Sequence, residues 1–309
     1  MRSSPRLSLL LVAALAAGCS SAEDATVDQA ADSAAVADSA GASEGIAYTG
    51  SFQGPLGLQL WSVRERMEQD VPGTLAWVRQ QGFTEVELAG TQGMTPQQFR
   101  QELDRAGLRA TAMHVGYERM RDSLDAALAE AETLGARNIG VAWIPHEGSY
   151  TPEMARATAA DFDRWGQAAR ERGLRFFYHT HGYEFEPAAD GTIPFDVLVQ
   201  ETDPENVTFE MDVFWIAHPG QDPAALLRKH PDRWKLMHIK DMAQGTVGDF
   251  SGGASPEANV PVGTGQIDYR AVLAAADEVG VEQYYIEDES TDPVANIPRS
   301  IEYLKTVTY

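Results

Sequence analysis

A single (β/α)8 barrel is the fold class this sequence predicts. Short apolar or β-branched runs alternate strictly with amphipathic stretches over about 260 residues after Gly50, giving eight units. Gly82, Gly107, Gly135, Gly173 and Gly280 each stand just before such a run, where a helix C-terminus needs a left-handed residue. Polar, chemistry-bearing residues gather at the C-terminal ends of the later runs, which is where barrels of this class carry their sites.

In chain order, Leu58–Ser62 reads as the first strand and Val71–Gln81 as a helix. Thr84–Leu88 is the second strand, followed by a helix over Pro96–Ala106. Arg109–His114 and Asn138–Trp143 are the third and fourth strands, separated by a helix over Asp122–Leu134. A longer helix over Pro152–Arg172 leads to the fifth strand, Arg175–His179. Val207–Asp212 and Lys235–Lys240 follow as the sixth and seventh, and a helix over Tyr269–Val279 precedes the eighth, Gln283–Asp288. A doubly wound sheet is the competing topology, but no Gly-rich phosphate turn follows the first strand.

The barrel, residues 50–309, is preceded by two segments of different character. Arg2 and Arg6 stand before an apolar run from Leu7 to Ala17, too short for a bilayer span of about 20 residues and of the length of a secretory signal. Leu15-Ala16-Ala17-Gly18-Cys19 resembles the lipobox of bacterial lipoproteins, so residues 1–19 are expected to be a lipoprotein signal with lipidation at Cys19. An ordinary signal peptide with an incidental cysteine is the alternative. Residues 20–49 are dominated by Ala, Ser, Gly and acids, and are expected to form a disordered tether. The expected location is therefore outside the cytoplasm, anchored by lipid to a bacterial membrane.

The net charge of −22 over 309 residues opposes binding to nucleic acid. With one cysteine in the chain, an internal disulfide framework and a Cys-based zinc cluster are both impossible, so any metal must be held by His and carboxylate.

Side chains alternate along a strand, so His179/His181, Glu210/Asp212, His238/Lys240 and Glu287/Glu289 each share a face at the ends of strands five to eight. A divalent cation is the partner that collects carboxylates and imidazoles in this way. Taken singly, His179 and His238 read more readily as hydrogen-bonded structural residues, and Asp212 and Glu287 have a helix cap and a solvent-exposed loop acid as alternatives. Glu87 and His114, at the ends of strands two and three, are candidate sugar contacts. Trp61, Trp143, Phe214 and Trp215 offer an apolar wall for a sugar ring, with core packing as the fate of at least half of them.

The segments from Gly57 to Arg64 (GLQLWSVR), YHTHGYEFE, FEMDVFW, MHIKD, PVGTGQIDY and YYIEDE occur in this order, and together they resemble the sugar phosphate isomerase/epimerase family with its xylose-isomerase-like barrel. The resemblance covers about Leu56 to Leu304. It implies one divalent ion held by Asp212, His238 and Glu287, with His179 standing where the family's epimerases carry a glutamate. That departure removes one of the two glutamates that serve those epimerases as a symmetric acid/base pair. A His2AspGlu set suits Mn, Zn, Fe or Co better than Ca. Proton transfer then falls to Glu287, or to His181, Glu184, Lys240 or Glu289 beside it.

The expected activity is a metal-dependent sugar isomerase or epimerase working through an enediolate on an unphosphorylated ketose-type sugar, because no phosphate clamp is visible at the strand ends. A metal-dependent lyase or hydratase on an oxidised 3-keto-glycoside is the alternative, with a separate oxidoreductase supplying the keto-sugar. The non-enzymatic alternative is a tethered carbohydrate-binding barrel.

Overall fold

The computed structural model describes residues 45–309. The expected signal, Cys19 and the expected tether up to residue 44 lie outside the described residues. In the barrel, β1 is Leu56–Gln59, β2 Glu85–Leu88, β3 Arg109–His114, β4 Asn138–Val141, β5 Arg175–His179, β6 Val207–Asp212, β7 Trp234–Ile239 and β8 Gln283–Ile286. All pair in parallel and in sequence order, and β1 closes the ring against β8.

Strands buried on both faces need apolar side chains outward, against the helices, and a packed column inward. Phe176, Tyr178, Phe209, Met211, Met237 and Ile239 accordingly join the outer core. Inside, Ala112, Phe177, Leu236 and Tyr285 form a separate buried layer across the barrel's waist. Two glycines make room for it. A Cβ on Gly57 would meet the Tyr285 ring at 2.7 Å, and one on Gly140 would lie 2.6 Å from the Phe177 ring.

Helix boundaries follow local chemistry. Thr95 and Gln98 form a capping box at the start of the helix Pro96–Ala106, and Gly107 ends it at φ 70°. Gly135 and Gly280 end Leu124–Leu134 and Tyr269–Val279 in the same left-handed conformation. The helix expected over Asp122–Leu134 is divided: Tyr117–Asp122 and Leu124–Leu134 are separate helices, with Ser123 between them at φ −147°.

Other boundaries also differ from expectation. β1 stops at Gln59 because the Gln59 side chain accepts the Trp61 N–H at 3.0 Å and starts a 3-10 turn over Leu60–Val63. β4 and β8 end at Val141 and Ile286, so Trp143 and Glu287 stand on the loops just beyond. The segment expected as tether is already docked by Ile46 and Tyr48, which pack on the core. The Thr49 and Gly50 N–H groups then bond to the Lys305 carbonyl at 2.8 and 2.9 Å. Among the described residues no helix is long and apolar enough to cross a membrane.

Candidate metal centre

Two strand registers slip at the residues that matter most: between Val86 and Glu87 where β2 meets β3, and between Phe209 and Glu210 where β6 meets β7. Such irregularities re-aim side chains. Here Glu87 and Glu210 are fully buried inside the barrel, above the apolar waist.

The two carboxylates are acceptors for the histidines above them. His179 donates from Nδ1 to Glu210 Oε2 at 2.9 Å, and His238 donates from Nε2 to Glu87 Oε2 at 2.5 Å. Each bond fixes a tautomer, leaving His179 Nε2 and His238 Nδ1 as lone pairs aimed the other way. Asp212 Oδ2 lies 3.8 Å from the first and 3.7 Å from the second. Glu287 Oε2 lies 3.4 Å from His238 Nδ1. The structure brings His179, Asp212, His238 and Glu287 to one place, and Asp212, His238 and Glu287 are close enough to share one ion.

The fit to a metal can be tested on Asp212. Its Oδ1 accepts the Trp215 N–H at 3.0 Å and caps the following helical turn, as the cap reading expects. Its Oδ2 is buried without a hydrogen-bond partner. A bare buried carboxylate oxygen is costly, and a divalent ion is the partner that two imidazole lone pairs and a second carboxylate would share with it.

Electrostatics agree with a crowded anionic ring. Burial pushes the Glu287 carboxyl up, but the Lys240 ammonium and His238 outweigh it and hold the group well below the carboxylate range. Burial opposes a charged His238, yet Glu210, Glu87 and Glu287 raise its pKa well above that of free imidazole. Metal uptake has to displace that proton.

Of the expected acid/base candidates, Lys240 reaches the ring, with Nζ 3.1 Å from Glu287 Oε2 and 4.0 Å from Asp212 Oδ2, and a further bond to Glu289. The Phe214 and Trp215 rings flank that ammonium at 5.3 and 5.2 Å. His181 stacks on Trp215 at 4.6 Å, with its Nδ1 buried and unpartnered. Burial, then His179 and Lys240, lower its pKa well below the usual value, so it is a neutral imidazole.

Glu184 stands elsewhere. It lies under the turn after β5, accepting the His181 N–H at 2.9 Å, and has no ion pair with the ring among the described residues. It positions that turn. Burial pushes its carboxyl up to about 7. The folded state therefore holds this proton more tightly than the unfolded chain, and the stability linked to it is present below about pH 4.5 and lost as pH rises towards 7. Glu184→Gln should unfold later than wild type at pH 8, by up to about 3 kcal/mol, and by the same amount as wild type at pH 4. Denaturant titrations at the two pH values check this, and a pH-independent difference would refute it.

The expected sugar contacts divide. Glu87 is sealed beneath the ring, where Gln59 Nε2 also donates to it at 2.7 Å, because alternation along β2 sends Val86 and Leu88 outward and Glu87 inward. His114 spends Nε2 on Glu210 at 2.9 Å and stacks on His238. Glu87 thus supports the ring from below and is closed to a sugar, whereas the His114 side chain keeps 16% exposure beside the ring. Trp215 is buried behind His181 and Lys240, and Phe214 is buried with it. Trp143 and Trp61 are 42% and 44% exposed and form the open aromatic surface at the mouth. The loop after β7 reaches the first of them: a Cβ on Gly252 would stand 3.0 Å from the Trp143 and Tyr183 rings.

Sequence reasoning missed Gln59 and gave Glu210 no role in orienting the histidines. The inward alternation of β1 and β6 was the available signal.

A family model described as xylose isomerase-like TIM barrel matches residues 75–307. An inosose dehydratase from Lacticaseibacillus casei is 27% identical over 161 residues, which are 50% of this chain and 52% of that protein. The chain thus spans about half the length of the curated relatives it matches. Among solved structures, a sugar phosphate isomerase/epimerase from Parabacteroides distasonis superposes with a TM-score of 0.69 at 23% identity, covering 86% of this chain and 98% of that one. The IOLI protein, whose structure has a bound zinc atom, superposes with a TM-score of 0.62 at 14% identity, covering 81% and 95%. At such identities these two show the fold alone.

Proposed function

We propose, from the premise that the chain belongs to the xylose isomerase-like TIM barrel family, that it is a metal-dependent enzyme that removes the proton beside a carbonyl of an unphosphorylated sugar or cyclitol and then expels the neighbouring oxygen substituent. The observation that carries this reading is the Glu287–Lys240 pair. Glu287 is the most exposed member of the ring at 9%, and hence the one a substrate touches. The matching position on β5 is occupied by an imidazole whose Nδ1 is committed to Glu210, so the ring's carboxylates lie on the β6 and β8 side alone.

A divalent ion held by His179, Asp212, His238 and Glu287 would polarise the substrate carbonyl as a Lewis acid. Glu287 takes the proton from the adjacent carbon, and the C–H electron pair passes into the enolate. Lys240, whose charge Glu287, Asp212 and Glu289 sustain against burial, donates a hydrogen bond to the enolate oxygen. Collapse of the enolate re-forms the carbonyl and a carbon–carbon double bond, and breaks the bond to the β-oxygen. The leaving oxygen departs with the proton that Glu287 collected, as water or an alcohol. Elimination needs one proton carrier on one face. The dehydratase relatives support the same choice. An oxidoreductase supplying the carbonyl compound belongs to the proposal, as do export and lipidation at Cys19, which fractionation of Cys19→Ser tests.

Isomerisation or epimerisation is the second reading, favoured by His181, whose unpartnered Nδ1 on the β5 flank offers a second site for proton exchange. The sugar class excludes a phosphate ester because Lys240, the ammonium beside the ring, is already shared by Glu287 and Glu289. Metal-loaded protein given a 3-keto-glycoside or a keto-cyclitol in deuterated water distinguishes the readings. Release of alcohol or water with an unsaturated product is expected. Deuterium uptake into a recovered isomer without release would overturn elimination.

A further inference from the structure

Arginines are sparse at the mouth and gather at the opposite end of the barrel. There a cavity of about 620 Å3 is lined by Arg100, Arg109, Arg137, Arg170 and Arg175, with Glu85 and Glu282 between them. Five of the chain's 24 basic residues thus converge on one concavity of a protein with net charge −22. They come from separate elements: Arg109 and Arg175 open β3 and β5, Arg137 immediately precedes β4, and Arg100 and Arg170 reach in from surrounding helices.

Four of the five have partners. Arg109 pairs with Glu85 at 2.6 Å and Arg175 with Glu282 at 2.7 Å. Arg170 pairs with Glu205 at 2.8 Å, and Arg100 with Asp104 at 2.8 Å. The Arg137 guanidinium has neither an acidic partner nor a hydrogen bond among the described residues, although it faces the same cavity as the other four. Four carboxylates against five guanidiniums leave the charge of Arg137 without an acidic partner among the described residues. Like charges held together in a concavity cost free energy unless an anion offsets them, and planar guanidiniums match oxyanions bidentately.

We propose that this cavity is a binding site for a small multivalent oxyanion of the phosphate type, with Arg137 as its uncommitted ligand. The volume suits a small molecule. The apolar layer of Ala112, Phe177, Leu236 and Tyr285 separates it from the metal ring, so the two sites are chemically independent.

Calorimetric titration of the full chain with inorganic phosphate and pyrophosphate, at constant ionic strength set with chloride, tests this. Saturable binding is expected, tighter for pyrophosphate. Arg137→Ala, which breaks no hydrogen bond or ion pair of the guanidinium among the described residues, should weaken it at least about tenfold, and Arg137→Lys by less. Asp212→Asn should leave it unchanged, because phosphate captured by a metal at the mouth would be lost in that variant. Equal binding by wild type and Arg137→Ala would overturn the proposal. So would Arg137-dependent binding to phosphatidylglycerol vesicles without binding of the free anions, which would identify a lipid headgroup surface instead.

Discussion

Asp212→Asn should lose its divalent metal and lower activity by at least about 10^3, while melting within a few degrees of wild type. The substitution is isosteric and separates the residue's two tasks. Oδ1, which caps the helical turn through the Trp215 N–H, is retained by an amide, whereas Oδ2, the bare buried oxygen aimed at the ring, loses its charge. A Lewis acid contributes several kcal/mol to a barrier, and each 1.36 kcal/mol is tenfold in rate. Lys240 keeps Glu287 and Glu289 as partners in this variant, so no buried cation is stranded and folding should not suffer greatly. Asp212→Ala would confuse the outcome, since loss of the cap costs about 1 kcal/mol by itself. Elemental analysis beside thermal melts checks the prediction, and full metal occupancy in the Asn variant would contradict it.

Glu287→Gln should keep metal, more weakly, and lose proton transfer. His179, Asp212 and His238 remain, and three protein ligands suffice for catalytic metal sites. The lost carboxylate is the ring member nearest solvent and the one Lys240 holds ionised, so kcat is expected to fall by about 10^2 to 10^4 with little change in substrate affinity. Solvent deuterium should cease to enter recovered substrate. Lys240 keeps Glu289 and Asp212 as partners, so the variant does not strand a buried cation. Continued exchange at the wild-type rate would assign the base elsewhere, with His181 next to be tested.

The fold was legible because each barrel unit repeats the same instruction: an apolar run, a polar loop, an amphipathic helix, a glycine. Two-residue alternation and barrel closure brought eight polar residues of strands five to eight to one face, and the family resemblance singled out His179, Asp212, His238 and Glu287 among them. What alternation cannot show is depth. Glu87 and Glu210 look like mouth residues in the sequence, whereas both lie below the ring as a floor of acceptors under the histidines. Gln59 escaped for a related reason: expecting β1 to run on to Ser62 hid the turn that Gln59 itself begins. Glu184 was misplaced because the two residues separating it from His181 fold into a tight turn that draws its carboxylate back beneath the strand end.

The central claim is that one divalent ion sits on the outward lone pairs of the two histidines, with Glu87 and Glu210 only orienting the rings. The alternative cluster in the same barrel is His114, His179, Glu210 and His238, one layer down. An anomalous-difference map from crystals grown with Mn or Zn separates the two directly. The expected result is one peak about 2.0 to 2.3 Å from His179 Nε2, His238 Nδ1, Asp212 Oδ2 and Glu287 Oε2. A peak bonded to Glu210 and His114, with Asp212 Oδ2 left bare, would contradict it.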